Sequence, residues 1–220
     1  MVKVERTFPA PASLSVECQK VSGRYNCDDV VEQLKQDFHN KCYICEIKPV
    51  QDPEVEHLLP HKGGTFLKRK FNWENLFWSC GHCNNVKNCT KYDAGILDCC
   101  RGNPEDCICF RLEDEKVKIN AIGVATPVIE RTVELLNEVY NKENTGMRII
   151  KCEVRVRELN KEMNAFFSAI EDYEKKRQDQ RTIRALHDFL SRSSAFAAFK
   201  RCYIREHRDE YPELLKWANE

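Results

Sequence analysis

Apolar residues recur at helical spacing through the second half of the chain, whereas the first half holds only short alternating stretches. Val30, Val31, Leu34 and Phe38 share one face of a helix predicted over residues 28–38, which Asp28 or Asp29 can cap. Pro9 and Pro11 break any earlier helix, so residues 1–27 are expected to be irregular or extended. Residues 55–59 read as a strand, after which Pro60 and Gly63-Gly64 turn the chain. Residues 73–79 approach Cys80, and a helix is expected after Cys83. Val117, Ile119 and Ala121 alternate within residues 111–122, which predicts another strand.

From Thr126 the pattern becomes helical. Thr126-Pro127 suits a helix start, a cap followed by proline at the first helical position. Val133, Leu136, Val139 and Tyr140 continue that helix, and Asn144-Thr145-Gly146 is expected to end it. A long helix over residues 147–176 carries the stripe Val156, Leu159, Met163, Phe166, Phe167, Ile170 and Tyr173. A last helical segment bears Leu186, Phe189 and Leu190, then Phe196, Phe199, Tyr203 and Ile204. The pattern predicts an α+β protein, with a mixed module over residues 1–122 and a C-terminal helical bundle over residues 123–220 that can pack with it as one unit.

At 220 residues the chain can bury a real core. Its formal net charge is zero with 32% charged residues, so overall charge singles out no partner. Thirteen cysteines change the picture. There is no apolar signal region near Met1 and no run long enough to span a bilayer, and an odd count suits disulfides poorly. Metal thiolates and free thiols in a reducing cytoplasm are the expectation.

Two Cys-x-x-Cys pairs organise the candidate chemistry: Cys42-Tyr43-Ile44-Cys45 and Cys80-Gly81-His82-Cys83, the second followed by Asn84. Four thiolates at this spacing can hold one tetrahedral zinc, which would pin both ends of the intervening hairpin. Between them lies Glu56-His57. A neutral imidazole at His57 can accept a proton near pH 7, as hydrolysis of a phosphodiester requires. Glu56 and the Asn84 carbonyl can join on a hard cation, Mg²⁺ or Mn²⁺. Neighbouring strand residues point to opposite faces, so Glu56 and His57 can serve one site only if the strand bends or a helix folds back across it. Asn75, in Trp73-Glu74-Asn75-Leu76, can bond backbone groups and hold the loop that presents His57.

These residues resemble the HNH endonuclease motif, a ββα-metal fold stapled by zinc. The resemblance implies His57 as general base and Asn75 as the central loop-orienting residue. It also implies Glu56 and Asn84 as ligands of the catalytic cation, and Cys42, Cys45, Cys80 and Cys83 as ligands of the structural zinc. On that resemblance the motif reads as an H-N-N variant, with Glu rather than Asp at 56 and Asn rather than His at 84. Further stretches are similar to the PtuB-like nuclease of Septu-type anti-phage systems, including retron-associated versions. They are Ile96-Leu97-Asp98-Cys99-Cys100, Asn103-Pro104-Glu105, Asn144-Thr145-Gly146-Met147-Arg148, Leu190-Ser191-Arg192 and Ser194-Ala195-Phe196-Ala197-Ala198-Phe199-Lys200. That similarity implies a partner, a PtuA-like ABC-type ATPase. In retron versions a reverse transcriptase with its RNA–DNA product would join. DNA is the first expectation for the substrate. RNA cleavage, or a non-catalytic zinc-dependent binding module, is the alternative.

Other features have plainer readings. His61, beside Gly63-Gly64, is expected to be solvated, with a phosphate contact as the alternative. His82 could replace a cysteine as ligand, but four thiolates already satisfy zinc. Cys89, Cys99, Cys100, Cys107 and Cys109 invite a second metal, with buried free thiols the first expectation. Cys18, Cys27, Cys152 and Cys202 read as core or surface thiols. Lys68, Arg69 and Lys70 can contact nucleic-acid phosphates, as can residues 175–208, where ten Lys/Arg face three Asp/Glu. Phe166, Phe167, Phe196 and Phe199 are expected in the core or at a partner interface.

Overall fold

A computed structural model describes residues 1–114, 116–141, 145–176 and 179–220. Its fold is α+β, built from two separate antiparallel hairpins and the helices that cover them. In chain order, α1 (Ala12–Glu17) and α2 (Asp28–Asp37) precede β1 (Pro53–His57). The short α3 (Leu67–Lys70) and a 3-10 turn at Trp73–Asn75 lead into β2 (Leu76–Cys80), which runs directly into α4 (Gly81–Lys87). β1 and β2 pair with Glu56 opposite Phe77 and His57 opposite Leu76. Every residue of β2 is buried, because both α2 and α4 pack against it. Phe38, just past α2, meets Phe77 with ring centroids 5.6 Å apart.

α1 corrects the expectation of an irregular start. Pro11 immediately precedes it with an extended backbone, where a proline forfeits no intrahelical hydrogen bond. Residues 108–121 form a hairpin rather than one strand: β3 (Ile108–Glu113) pairs with β4 (Lys116–Ala121), Phe110 opposite Ile119. The chain leaves β3 without glycine or proline, because Asp114 itself takes a left-handed backbone (φ 48°), which aspartate tolerates better than most residues.

α5 (Pro127–Asn141) and α6 (Gly146–Lys175) follow the predicted periodicity closely. The Thr145 hydroxyl caps α6, accepting from the Arg148 amide at 3.2 Å. Asn144 lies outside the described residues. The last helical segment is interrupted, giving α7 (Gln180–Leu190), α8 (Ala197–Glu206) and α9 (Pro212–Asn219). The first break falls at Ser191-Arg192-Ser193-Ser194, and Phe196 enters α8 with φ 48°. Among the described residues no helix is long and apolar enough to cross a membrane.

The two halves share one buried core: Phe110 and Tyr140 both pack edge-on against Phe199. α5 lies on β4 and α8 lies on β3. Phe166, Phe196 and Phe199 are fully inside, which leaves them no role at a partner surface. Polar joints cross the same boundary. The Glu46 carboxylate accepts from Lys41 at 3.0 Å and from the Ala198 amide at 2.9 Å. Glu105 gathers Arg201 at 2.7 Å, Arg205 at 3.1 Å and Arg192 at 3.7 Å; within the helical half, Lys200 pairs with Glu162 at 2.8 Å. The basic excess of residues 175–208 is therefore largely turned inward at its C-terminal end, rather than laid out for phosphates. Arg201 and Lys200 are at most 1% exposed.

Arg201 also donates to the Leu190 and Trp217 carbonyls, so its charge is held from three directions. Glu105→Ala is expected to strand that buried guanidinium and lower unfolding free energy by about 3–5 kcal/mol, read from urea denaturation. A loss below about 1 kcal/mol would show that the two carbonyls alone suffice.

Candidate active site and metal cluster

The four expected thiolates converge. Cys42 and Cys45 come from the turn after α2, Cys80 from the end of β2 and Cys83 from the first turn of α4. Their sulfurs all lie within 4.8 Å of one another, fully buried, with Cys45 and Cys80 3.9 Å apart. This donor set suits a tetrahedral metal such as zinc. Arg155 of α6 places Nη2 3.2 Å from the Cys80 sulfur. Hydrogen bonds from the other three cysteines, aided by that guanidinium, hold the Cys80 thiol far below its ordinary pKa. Four thiolates around a divalent ion carry surplus negative charge, and Arg155 offsets part of it. His82 is not a ligand: its Nε2 donates to the Val139 carbonyl at 3.0 Å and ties α4 to α5.

Beside this cluster a cavity of about 270 Å³ is bordered by Glu56, His57, His61, Asn84, Lys87 and Tyr25, among others. His57 stands at the end of β1. Its Nε2 lies 3.0 Å from the Lys70 carbonyl, which can only accept, so Nε2 carries the proton and Nδ1 keeps its lone pair. Burial is the main force pushing its pKa down, to about 4, so the ring is neutral at pH 7. Tyr25 and His61 close on it edge-first, with centroids 4.5 and 4.6 Å away. Tyr25 comes from the link between α1 and α2, and no spacing signal marked it.

Asn75 bonds backbone groups on two segments. Its Oδ1 accepts from the Leu59 amide at 2.8 Å, while Nδ2 donates to the Leu59 carbonyl at 2.9 Å and the Arg69 carbonyl at 3.0 Å. One amide thus fastens the exit of β1 to α3, whose next carbonyl, that of Lys70, orients His57. His61 departs from the expectation of a freely solvated turn residue. It is half-buried on the cavity wall, and its Nδ1 accepts from the Gly64 amide at 3.0 Å. Its proton is therefore on Nε2, and the two histidines present opposite chemistry: a lone pair at His57, a donor at His61. Gly63 and Gly64 permit that turn with φ of 62° and 96°.

Glu56 and Asn84 reach the cavity, but their expected joint hold on a cation is not the arrangement found. Strand periodicity puts Glu54 and Glu56 on one face of β1, and helix periodicity puts Asn84 and Lys87 on one face of α4. The faces meet as two pairs. Asn84 Nδ2 donates to the Glu54 carboxylate. Lys87 Nζ lies 2.5 Å from Glu56 Oε1, and the Tyr43 hydroxyl donates to Oε2 at 2.7 Å. Burial pushes the Glu56 carboxyl up, while Lys87 and Tyr43 pull it back. With Glu56 paired to Lys87 and Asn84 paired to Glu54, the two side chains as placed do not share Mg²⁺ or Mn²⁺. Lys87 was not picked out in the sequence, although its i+3 spacing from Asn84 marked it.

The basic triplet is divided. Lys68 is exposed on α3, but Arg69 donates to the Pro60 carbonyl at 3.3 Å and Lys70 to the Gly23 carbonyl at 2.8 Å. Cys89 is exposed, and Cys100 and Cys107 are half-buried, so the expected run of buried thiols reduces to Cys99 and Cys109. In comparisons with protein-family models, curated proteins and solved structures, nothing matches this chain.

Loss of the Asn75 amide leaves the Leu59 and Arg69 backbone groups short of partners. Asn75→Ala is expected to cost about 1–3 kcal/mol in chemical denaturation and to sharpen hydrogen exchange at the Leu59 amide first. Removing metal from the four-cysteine cluster, by chelation or by Cys83→Ser, is expected to abolish the cooperative thermal transition seen by circular dichroism. An unchanged transition in metal-free protein would contradict a structural metal there.

Proposed function

We propose that this chain is an HNH-type endonuclease that hydrolyses nucleic-acid phosphodiester bonds, DNA first. The observation that carries the proposal is a neutral histidine, His57, whose carbonyl-bonded Nε2 leaves Nδ1 as a base on the wall of a polar cavity. In this mechanism Nδ1 takes a proton from water as its oxygen attacks phosphorus, the bond from phosphorus to the leaving oxygen breaks, and that oxygen takes a proton from solvent water. His61 Nε2–H on the same wall offers a donor to the non-bridging oxygens, on which negative charge grows, as does the exposed Lys62, whose ammonium also pairs with Asp93. Asn75 keeps the Lys70 carbonyl, and with it the histidine tautomer, in place. In the family this chain resembles, a divalent cation supplies further charge neutralisation. Here the Lys87 ammonium is paired with Glu56.

The wider setting, phage defence with an ABC-type ATPase partner and, in a retron version, a reverse transcriptase, is supported by the resemblance of residues 96–100, 103–105, 144–148, 190–192 and 194–200 to Septu-type nucleases. Two of these stretches also contact each other, through Glu105 with Arg192. A second reading, a zinc-bearing binding module without catalysis, is favoured by the Lys87–Glu56 pair, which leaves no free acid at the motif position.

The test is a cleavage assay of the complex isolated from cells that express the chain with its neighbouring genes. DNA and RNA are offered with Mg²⁺, with Mn²⁺ and with chelator. The wild-type complex is expected to cleave, and His57→Ala to cleave about 10²–10⁴-fold more slowly while its fold and nucleic-acid affinity persist. Equal rates in both would place the chemistry in another subunit.

A further inference from the structure

We infer that Cys109, Cys202 and Glu206 form a second metal site, one that takes a zinc ion and joins the mixed module to the helical half. The three donor atoms lie within 4.8 Å of one another and belong to two packed elements, β3 and α8. Cys202 and Glu206 are four residues apart on α8 and so share a face, and Cys109 faces them from β3. The sulfurs are 3.1 Å apart, and Cys109 Sγ is 3.2 Å from Glu206 Oε1. With metal–sulfur bonds of about 2.3 Å, two thiolates on a tetrahedral ion stand about 3.8 Å apart. The pair therefore needs to part by less than about 1 Å to admit one.

Three features suit the site to a soft divalent ion. The Phe110 amide donates to Cys202 Sγ at 3.3 Å, a bond that strengthens when the sulfur is a thiolate. Arg111 holds Glu206 Oε1 with Nε at 2.7 Å and Nη2 at 2.5 Å. Two thiolates, one carboxylate, a divalent ion and that guanidinium sum to zero charge. A cavity of about 260 Å³ reaches Cys109, Cys202 and Glu206, giving the ion an entry path and room for a fourth, exchangeable ligand. Thiolate donors select zinc over Mg²⁺ or Ca²⁺. The third donor distinguishes the site from a cysteine pair awaiting oxidation, in which a carboxylate has no part.

The experiment is a zinc count per chain by native mass spectrometry and elemental analysis. It compares full-length protein purified under reducing conditions with the double variant Cys109→Ser/Cys202→Ser, and titrates both with zinc alone. The wild type is expected to hold one zinc more than the variant. Cobalt substitution should give a thiolate-to-metal charge-transfer band that is weaker in the variant by two thiolates. Equal zinc content would overturn the proposal, and so would a wild-type chain lighter by two hydrogens, which marks a disulfide. If the variant fails to fold, the wild type decides: a single zinc per native chain overturns the site, and a second zinc that Glu206→Gln releases to chelator upholds it.

Discussion

Four cysteine sulfurs meeting behind one short hairpin are the constraint on which the rest of this molecule depends. The hairpin has only five residues in each strand and would not stand alone in water. A metal held by these sulfurs would tie the turn before the hairpin to the helix after it and make one frame of the strands and α4. The helical half is bound into that frame at close range: Arg155 beside Cys80, His82 on the Val139 carbonyl, and the Tyr140 hydroxyl on the Cys45 carbonyl at 2.6 Å. A change at the cluster is thus felt in α5 and α6 as well as in the hairpin.

The frame explains how adjacent, oppositely directed residues of β1 can border one cavity. α4 crosses the hairpin and covers the Glu54–Glu56 face, pairing each acid with its own side chain. At the strand end, the loop through α3 wraps His57 and is closed by Asn75. The electrostatic outcome differs from a simple acid–base–metal arrangement. Glu56 is neutralised by a lysine, His57 is dried out and kept neutral, and His61 is held as a donor by a backbone amide. In the reaction proposed above, such a wall would take a proton from a water near an anionic ester, with donors at hand for the charge that develops.

Much of this was legible in the sequence where spacing is local. Cys-x-x-Cys pairs and the positions of His57, Asn75 and Asn84 follow from short turns, and α5 and α6 from a long unbroken period. The misses share a cause, which is that the deciding partner is distant in sequence. Lys87 neutralises Glu56 across the helix–strand contact, and Tyr25 reaches His57 from the far side of α2. Arg192, Lys200, Arg201 and Arg205 resemble a phosphate-binding run until Glu105 and Glu162 are seen to turn them inward. The hairpin of β3 and β4 escaped notice because an aspartate, rather than glycine, takes the left-handed position after β3. The stretches around Asn103-Pro104-Glu105 and Leu190-Ser191-Arg192 carried no derivable chemistry in sequence. In three dimensions Glu105 and residues 190–200 prove to be parts of the joint between the halves.

The central claim is that the Lys70 carbonyl fixes His57 as a neutral base with its lone pair on Nδ1. Long-range proton–nitrogen NMR of the histidine side chains in the folded, metal-loaded protein measures it directly. At pH 7 the His57 ring is predicted to show a protonated Nε2 and an unprotonated Nδ1. A proton on Nδ1, or a doubly protonated ring at that pH, would contradict it.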